Sequence, residues 1–128
     1  MRTSGMRLYF DGGCRPNPGV IETAVVIGGV SHVVRNAGYG DNSTAEWLAL
    51  IAAARIARDL GADDVTFLGD SALVIGQARG LVPCRRAELR THLETYRGIV
   101  APIDRVHVRH VARGRNLAGI ALAGAHPR

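Results

Sequence analysis

A mixed α/β sheet with helices packed on its faces is the fold class that three observations in this sequence predict. Short β-prone runs lie near the N-terminus, an Ala- and Leu-rich stretch with helical spacing follows them, and β-prone and helical segments then alternate. An antiparallel hairpin followed by β-α-β units is typical of such a sheet. The 128 residues suit one domain over 1–128, with a core of about 6–123.

Three strands are predicted before the first helix. Residues 6–11 alternate between apolar and other side chains, which is the period of a strand. Residues 24–27 and 30–34 are β-branched runs joined by two glycines, and this spacing favours a hairpin. We therefore expect the first three strands of a five-stranded sheet to be antiparallel.

The remaining elements alternate between helix and strand. Apolar spacing predicts a helix wherever residues recur every three to four positions, and glycine or proline marks the ends of these segments. The predicted order is a helix over 44–59, a strand over 65–68, helices over 71–78 and 85–97, a strand over 106–108 and a helix over 117–123.

Positive charge is concentrated in the second half of the chain, and all of it is carried by arginine. Residues 1–64 hold six arginines against seven acids, whereas residues 65–128 hold ten against four. A basic half is typical of proteins that bind a polyanion, although a solvated basic surface has the same composition.

Several observations bear on the compartment in which the chain acts. No run of about 18 uncharged apolar residues is present, so no membrane span is predicted. The first residues lack the apolar core of a secretion signal. Cys14 and Cys84 do not have the spacing of a metal-ligand pair, and free thiols are favoured over a disulfide. We expect a cytoplasmic monomer.

The first candidate for chemistry is Asp11, at the end of the first predicted strand. Gly12 and Gly13 follow it, and glycine lets a bulky anion such as a phosphodiester approach the backbone closely. A turn with no further function is the other interpretation of this short motif.

Two more isolated acids stand where a helix begins. Glu46 comes three residues after Ser43, so a capping box, in which Glu46 binds a backbone N–H, is one interpretation. Asp70 precedes Ser71 and has the alternative of an N-cap. Each of the three acids, Asp11, Glu46 and Asp70, lies at the end of a predicted strand or in the first turn of a predicted helix. These are the places where α/β folds build their functional sites.

Three acids brought together would repel one another, which implies bound cations. Mg²⁺ prefers oxygen ligands and is commonly shared with substrate phosphates. Two such ions a few ångströms apart activate a water and stabilise the leaving oxygen when a phosphodiester is cleaved. The acids therefore predict a metal-dependent reaction on a phosphodiester.

Five short motifs, three of which contain these acids, follow one another along the chain. They are Asp11-Gly12-Gly13, Asn17-Pro18-Gly19, Asn42-Ser43-Thr44-Ala45-Glu46, Gly69-Asp70-Ser71 and Arg113-Gly114-Arg115-Asn116. In this order and spacing they resemble the type 1 ribonuclease H family, over about Leu8 to Ala123. The resemblance implies the RNase H-like fold, a five-stranded mixed sheet with helices on its faces.

The resemblance also implies an activity. Members cleave the RNA strand of RNA–DNA hybrids with two Mg²⁺ or Mn²⁺ ions and leave 5′-phosphate and 3′-hydroxyl ends. Asp11 would bridge both metals, and Glu46 and Asp70 would complete the site of the metal nearer the leaving group. His110 is similar in position to a mobile histidine that some members use for proton transfer or product release. A structural or solvated histidine is the alternative.

Contacts with the nucleic acid follow from the same resemblance. Asn17 and Asn42 match positions that contact the backbone or minor groove, and Ser43 stands where the family often has a second asparagine. The other residues of the matching motifs that we expect at this interface are Gly12, Ser71 and Asn116.

Ile120 is the main departure from the family pattern. Members usually carry a fourth carboxylate in the last helix, four residues after an asparagine like Asn116, and Ile120 occupies that position. Isoleucine cannot coordinate a cation, so weaker metal affinity and a lower rate are predicted. Alternatively, Asn116 or His110 replaces the ligand, or the protein has kept the fold as a nucleic-acid binding module. The simplest interpretation of Ile120 itself is a helix residue that packs inward with Leu117.

A second departure concerns substrate binding. Many members have a Lys- and Trp-rich loop, whereas the connection over 80–86 is short and contains no tryptophan. Arginines are expected to contact phosphates instead, although a solvated helix face is the alternative for the first three of them. They are Arg85, Arg86, Arg90, Arg109, Arg113 and Arg115. A nuclease of the same fold acting on another duplex is a further hypothesis.

Overall fold

One mixed sheet forms the centre of the computed structural model, which describes residues 5–125. Its strands are β1 (Met6–Cys14), β2 (Gly19–Ile27), β3 (Val30–Val34), β4 (Tyr39–Gly40), β5 (Asp64–Gly69) and β6 (Arg105–His110). Five of them are ordered β3-β2-β1-β5-β6, and the short β4 pairs with β2. The first three strands are antiparallel, and β5 and β6 run parallel to β1. The predicted mixed sheet is therefore confirmed.

Helices cover both faces of this sheet. They are α1 (Asn42–Asp59), α2 (Ala72–Ala78), α3 (Ala87–Val100) and α4 (Leu117–Gly124), with a 3-10 turn over Arg113–Arg115. The main core joins the inward faces of α1 and α3 to Leu8 and Phe10 of β1. On the opposite face, Ala118 and Leu122 of α4 pack against Ala24 and Val26 of β2.

The alternation of β1 between these two faces decides where Asp11 points. Leu8 and Phe10 are buried in the main core, and Tyr9 packs with the α4 cluster. Asp11 has the same parity as Tyr9 and lies near Gly119 of α4. A strand with strict alternation thus aims its carboxylate at the gap beside α4.

The observed bounds of an element differ most from the predicted ones where strand pairing extends the element. β2 begins at Gly19 rather than 24 because its first residues pair with the end of β1, as in Cys14 with Ile21. β4 was not predicted, since two residues leave no periodic signal in the sequence.

Trp47 is fully buried, and its Nε1 donates to Gln77 Oε1 at 2.9 Å.

Both capping interpretations of the acids are wrong. The N-cap of α1 is Asp41, whose carboxylate accepts from the Thr44 N–H at 2.9 Å, and not Ser43. The N-cap of α2 is Ser71, whose hydroxyl accepts from the Val74 N–H, and not Asp70. Glu46 and Asp70 are therefore not the residues that cap these helices.

Cys14 is buried, Cys84 is half-buried, and both are free thiols. Among the helices of residues 5–125, none has the length and apolar character that crossing a membrane requires.

Candidate metal centre

Asp11, Glu46 and Asp70 meet beside the carboxyl end of β5. Each offers an oxygen, and these oxygens all lie within 4.8 Å of one another. Strand pairing explains part of this convergence, because β1 and β5 are parallel with Tyr9 opposite Leu68, so Asp11 and Asp70 each lie two residues beyond that pair. Glu46 comes from α1, which packs across β1.

The backbone of Gly12 fixes the position of Glu46. Gly12 N–H donates to Glu46 Oε1 at 2.6 Å. A Cβ at Gly12 would lie 2.1 Å from the Ala45 carbonyl oxygen, so only glycine lets α1 approach β1 this closely. The expectation that Gly12 makes room for a ligand is corrected: its missing side chain makes room for α1 first, although the residue also lines the cavity described below.

Asn116 fixes the position of Asp70 in a similar way. The Asn116 side chain has no exposed surface, and its Nδ2 donates to Asp70 Oδ2 at 2.9 Å and to the Phe10 carbonyl at 3.0 Å. Its Oδ1 accepts from Ala118 N at 3.1 Å and so caps α4. The expected contact of Asn116 with nucleic acid is therefore wrong for its side chain, which burial keeps from any ligand.

The charges of the site are concentrated in little space. Burial, then the neighbouring Asp11 carboxylate, raise the pKa of Glu46 to about 9. Burial is also the main cause that raises the pKa of Asp11. The Asp11 carboxylate is stabilised in part by the positive charge of Arg113. A bound cation would stabilise these carboxylates in their ionised form, because its charge would offset the repulsion among them.

An open cavity of about 570 Å³ lies over the three carboxylates. The predicted site residues that line it are Asp11, Gly12, Asn42, Ser43, Glu46, Asp70, Ser71 and Arg113. Sequence motifs far apart in the chain thus converge on one surface.

The other predicted residues lie outside this lining. Asn17 Oδ1 accepts from Asn42 N at 3.3 Å, so Asn17 adjoins the cavity through its neighbour. His110 is exposed, and its Nε2 lies 3.2 Å from the Asp70 carbonyl oxygen. Arg85 and Arg115 are exposed and do not line the cavity.

Arg86 already has two acidic partners. Its Nη1 lies 2.7 Å from Asp41 Oδ2, and its guanidinium also pairs with Glu88. Because these contacts hold the side chain beside the start of α1, a phosphate would have to compete with two carboxylates. The structure gives Arg86 a role at the junction of α1 and α3.

Ile120 does not pack inward. It is 56% exposed and lines the cavity, and Leu117 is 44% exposed, so the inward interpretation of this pair is wrong. Gly119, which sequence reasoning missed, also lines the cavity, and a Cβ there would lie 3.4 Å from Asp11 Oδ2. Its signal in the sequence is a glycine inside a helix, where a close approach is a common reason for one.

The fold and the site define a class of protein: an α/β domain in which a carboxylate cluster suited to hard cations lies in an open cavity. Comparison with known proteins narrows this class. A family model described as "Reverse transcriptase-like" matches residues 10–126. Ribonuclease HI of Halobacterium salinarum is 35% identical over an alignment of 127 positions, which covers 95% of this chain and 64% of that protein.

Solved structures agree. The crystal structure of RNase H1 from H. salinarum matches with a TM-score of 0.81 and 34% identity, over 91% of this chain and 92% of that chain. The N-terminal RNase H domain of a Mycobacterium tuberculosis protein matches at 0.78 and 26% identity, over 94% and 96%. LC11-RNase H1, solved in complex with an RNA/DNA hybrid, matches at 0.79 and 26%, over 87% and 88%. The chain belongs to the type 1 ribonuclease H family.

Proposed function

We propose that this protein is a metal-dependent endoribonuclease that hydrolyses the RNA strand of RNA–DNA hybrids and leaves 5′-phosphate and 3′-hydroxyl ends. The observation that carries the proposal is the cluster of Asp11, Glu46 and Asp70 in an open cavity of a type 1 ribonuclease H fold. We further propose that it acts as a monomer in the cytoplasm, where Cys14 and Cys84 stay reduced.

The donor set fits two Mg²⁺ or Mn²⁺ ions. Three carboxylates within 4.8 Å provide the hard oxygen ligands that these cations prefer, and the open cavity leaves room for waters and substrate phosphate. Asp11 is the residue proposed to hold both ions, with Glu46 and Asp70 completing the site nearer the leaving group. When bound, the ions would activate the attacking water and neutralise charge on the leaving oxygen.

The chain's own residues orient these ligands. The Gly12 N–H holds one oxygen of Glu46, and the buried amide of Asn116 holds one oxygen of Asp70. Two of the three carboxylates are therefore positioned before any ligand binds, which lowers the cost of assembling the site.

Neutral and positive groups on the rim suit a nucleic-acid backbone. Asn42 Oδ1 lies 3.3 Å from Cys14 N, which is in position to donate to it, so the Asn42 amide nitrogen remains for a phosphate or a ribose. We propose that four residues contact the nucleic-acid backbone, namely Asn17, Asn42, Ser43 and Ser71. Arg113 would oppose the negative charge of the phosphates. For His110 we propose proton transfer or product release, since its ring borders Asp70.

A binding module of the same fold is the second candidate, and Ile120 is the observation that favours it. This side chain lines the cavity where the family usually has a fourth acid, so one metal would rely on Asp11, Asp70, waters and substrate. Among the described cavity-lining residues, α4 contributes no carboxylate.

Cleavage of an end-labelled RNA–DNA hybrid in Mg²⁺, and separately in Mn²⁺, tests the proposal. Asp70→Asn should reduce the rate at least about a hundredfold, because a metal ligand supplies several kcal/mol of transition-state stabilisation. Asp59→Asn, an exposed change of the same kind at the end of α1, should cleave like the wild type.

Three outcomes separate the candidates. Cutting by the wild type that Asp70→Asn abolishes supports the nuclease. Hybrid affinity without product in either metal supports the binding module. Preferential cutting of double-stranded RNA or DNA in competition with the hybrid would show a nuclease with another substrate.

A further inference from the structure

A second, strongly basic groove runs along the edge of the sheet. It has a volume of about 830 Å³ and lies between the end of α2, one side of α3 and the edge strand β6. Arg79, Arg97 and Arg109 line it, together with His107 and His110. No carboxylate is among the described residues that line this basic groove.

Its arginines are available for a ligand. Arg79, Arg97 and Arg109 are exposed, and none of them makes an ion pair with another residue of 5–125. Arg86 differs in this respect because it pairs with both Asp41 and Glu88. One lining residue has an acidic neighbour: the Asp64 carboxylate lies 3.8 Å from His107 Nε2, at the side of β6.

The basic groove adjoins the metal centre through His110. The His110 ring lines the groove, and its Nε2 lies 3.2 Å from the carbonyl oxygen of Asp70, which lines the cavity over the carboxylates. A strand that leaves the metal centre on this side therefore meets the basic groove next.

The charge pattern suits a polymer of phosphates. Three arginines come from three different elements and face one open channel, whereas a single anion would be held by convergent groups in a closed pocket. Unpaired arginines along a groove are how proteins track a nucleic-acid backbone without reading its sequence. The net charge of the second half of the chain has the same sign.

We infer that the basic groove binds the phosphodiester backbone of a nucleic-acid strand that extends past the metal centre, with Arg79, Arg97 and Arg109 contacting successive phosphates. This inference rests on the proposed function for the identity of the strand. It enlarges the interface beyond the catalytic cavity and assigns Arg79 and Arg97, which match none of the family's motifs, to substrate binding.

Binding of hybrids of two lengths tests the inference. A hybrid of about 20 base pairs reaches well beyond the metal centre, and one of about 6 base pairs covers little more than the metal centre. Fluorescence anisotropy without divalent cations gives the dissociation constants over a range of salt. Arg79→Ala/Arg97→Ala is compared with Arg7→Ala/Arg55→Ala, which removes two exposed arginines that line none of these cavities.

The groove variant should bind the long hybrid about tenfold more weakly, with a salt slope lower by one to two units, because about one unit is lost per phosphate contact. The short hybrid should bind equally well to all proteins, and the control variant should change by less than about twofold. Equal affinities and slopes of the two double variants for the long hybrid would overturn the inference. So would loss of binding to an Asp- and Glu-rich peptide with hybrid binding unchanged, which would indicate a protein partner.

Cleavage separates this inference from the proposed function. The groove variant should cut the short hybrid at the wild-type rate when substrate is saturating. Suppose that neither the wild type nor the two double variants cut any hybrid, and that only the groove variant loses affinity for the long hybrid. This result would support nucleic-acid binding by the basic groove and contradict the proposed nuclease activity.

Discussion

The buried Asn116 amide donates a hydrogen bond to the Asp70 carboxylate over 2.9 Å. The same nitrogen donates to the Phe10 carbonyl in β1, and the side-chain oxygen caps α4. One side chain without exposed surface thus joins the first strand, the last helix and a candidate metal ligand. The orientation of Asp70 depends on a residue that no ligand can touch.

Substitutions at Asn116 separate its two tasks. Asn116→Ala removes the donor and the cap and should lower the free energy of unfolding by about 1–3 kcal/mol, since a buried carbonyl loses its partner. Asn116→Asp keeps a capping oxygen but cannot donate in its ionised form, and it adds a charge beside Asp70. Both should lower kcat and leave the affinity for hybrid unchanged. Urea unfolding and steady-state kinetics check this, and a rise in KM with constant kcat would instead indicate a contact with substrate.

Gly12 and Gly13 are neighbouring glycines that together test how closely α1 packs against β1. A Cβ at Gly12 would lie 2.1 Å from the Ala45 carbonyl oxygen, whereas a Cβ at Gly13 has Asn42 Oδ1 at 4.0 Å as its nearest neighbour. Gly12→Ala should therefore destabilise the protein by about 1–3 kcal/mol and move Glu46 away from its N–H partner. Gly13→Ala should be tolerated. Thermal unfolding of the two variants decides the point, and similar losses in both would contradict it.

Much of the fold was predictable because its signals are local. Alternation in β1, the paired glycines of the β2–β3 turn and the helical spacing of α1 each lie within one short window. Gly28 and Gly29 both have positive φ angles, as a tight hairpin turn requires. The convergence of Asp11, Glu46 and Asp70 followed from motif order and resemblance, since no local pattern contains it.

The errors arose where a tertiary contact decides the outcome. Ser43 and Asp41 are both good capping residues, and the structure has Asp41, whose carboxylate also binds Arg86 from the segment before α3. Glu46 is held by Gly12 N–H in another element, which the spacing within α1 does not reveal. Ile120 looked like a core residue by type, but α4 turns it toward the cavity. None of these partners is close in sequence.

Restoring an acid at position 120 should strengthen metal binding. Ile120→Asp adds an oxygen ligand at the cavity wall, and we expect at least about tenfold tighter binding of Mn²⁺, or about 1.4 kcal/mol. Leu117→Asp is the matched control, because it adds the same charge to an exposed position of α4 outside the cavity lining. Calorimetric titration measures both affinities. Equal gains in the two variants would mean that general electrostatics, and not coordination, causes the change.

The Asp41 cap should make stability depend on acid pH. Its carboxylate accepts from the Thr44 N–H, which is the largest cause that lowers the pKa of Asp41, and the Arg86 side chain contributes as well. A lowered pKa in the folded state means that the ionised group stabilises the fold above its unfolded pKa of about 3.9, and that this stabilisation is lost as the pH falls through the folded value. Asp41→Ala should cost about 1 kcal/mol near neutral pH.

Asp41→Asn isolates the charge from the cap. The amide oxygen still accepts from Thr44 N–H, so most of the capping remains, but the charge that faces Arg86 is gone. We expect the wild type to exceed this variant in unfolding free energy by less than about 1 kcal/mol at neutral pH, because the pair is partly exposed. The difference should decline as the pH falls below the unfolded pKa of about 3.9, and it should vanish once Asp41 is protonated in the folded state as well. Urea unfolding between neutral and acid pH measures it, and a constant difference across that range would assign the effect to packing instead of charge.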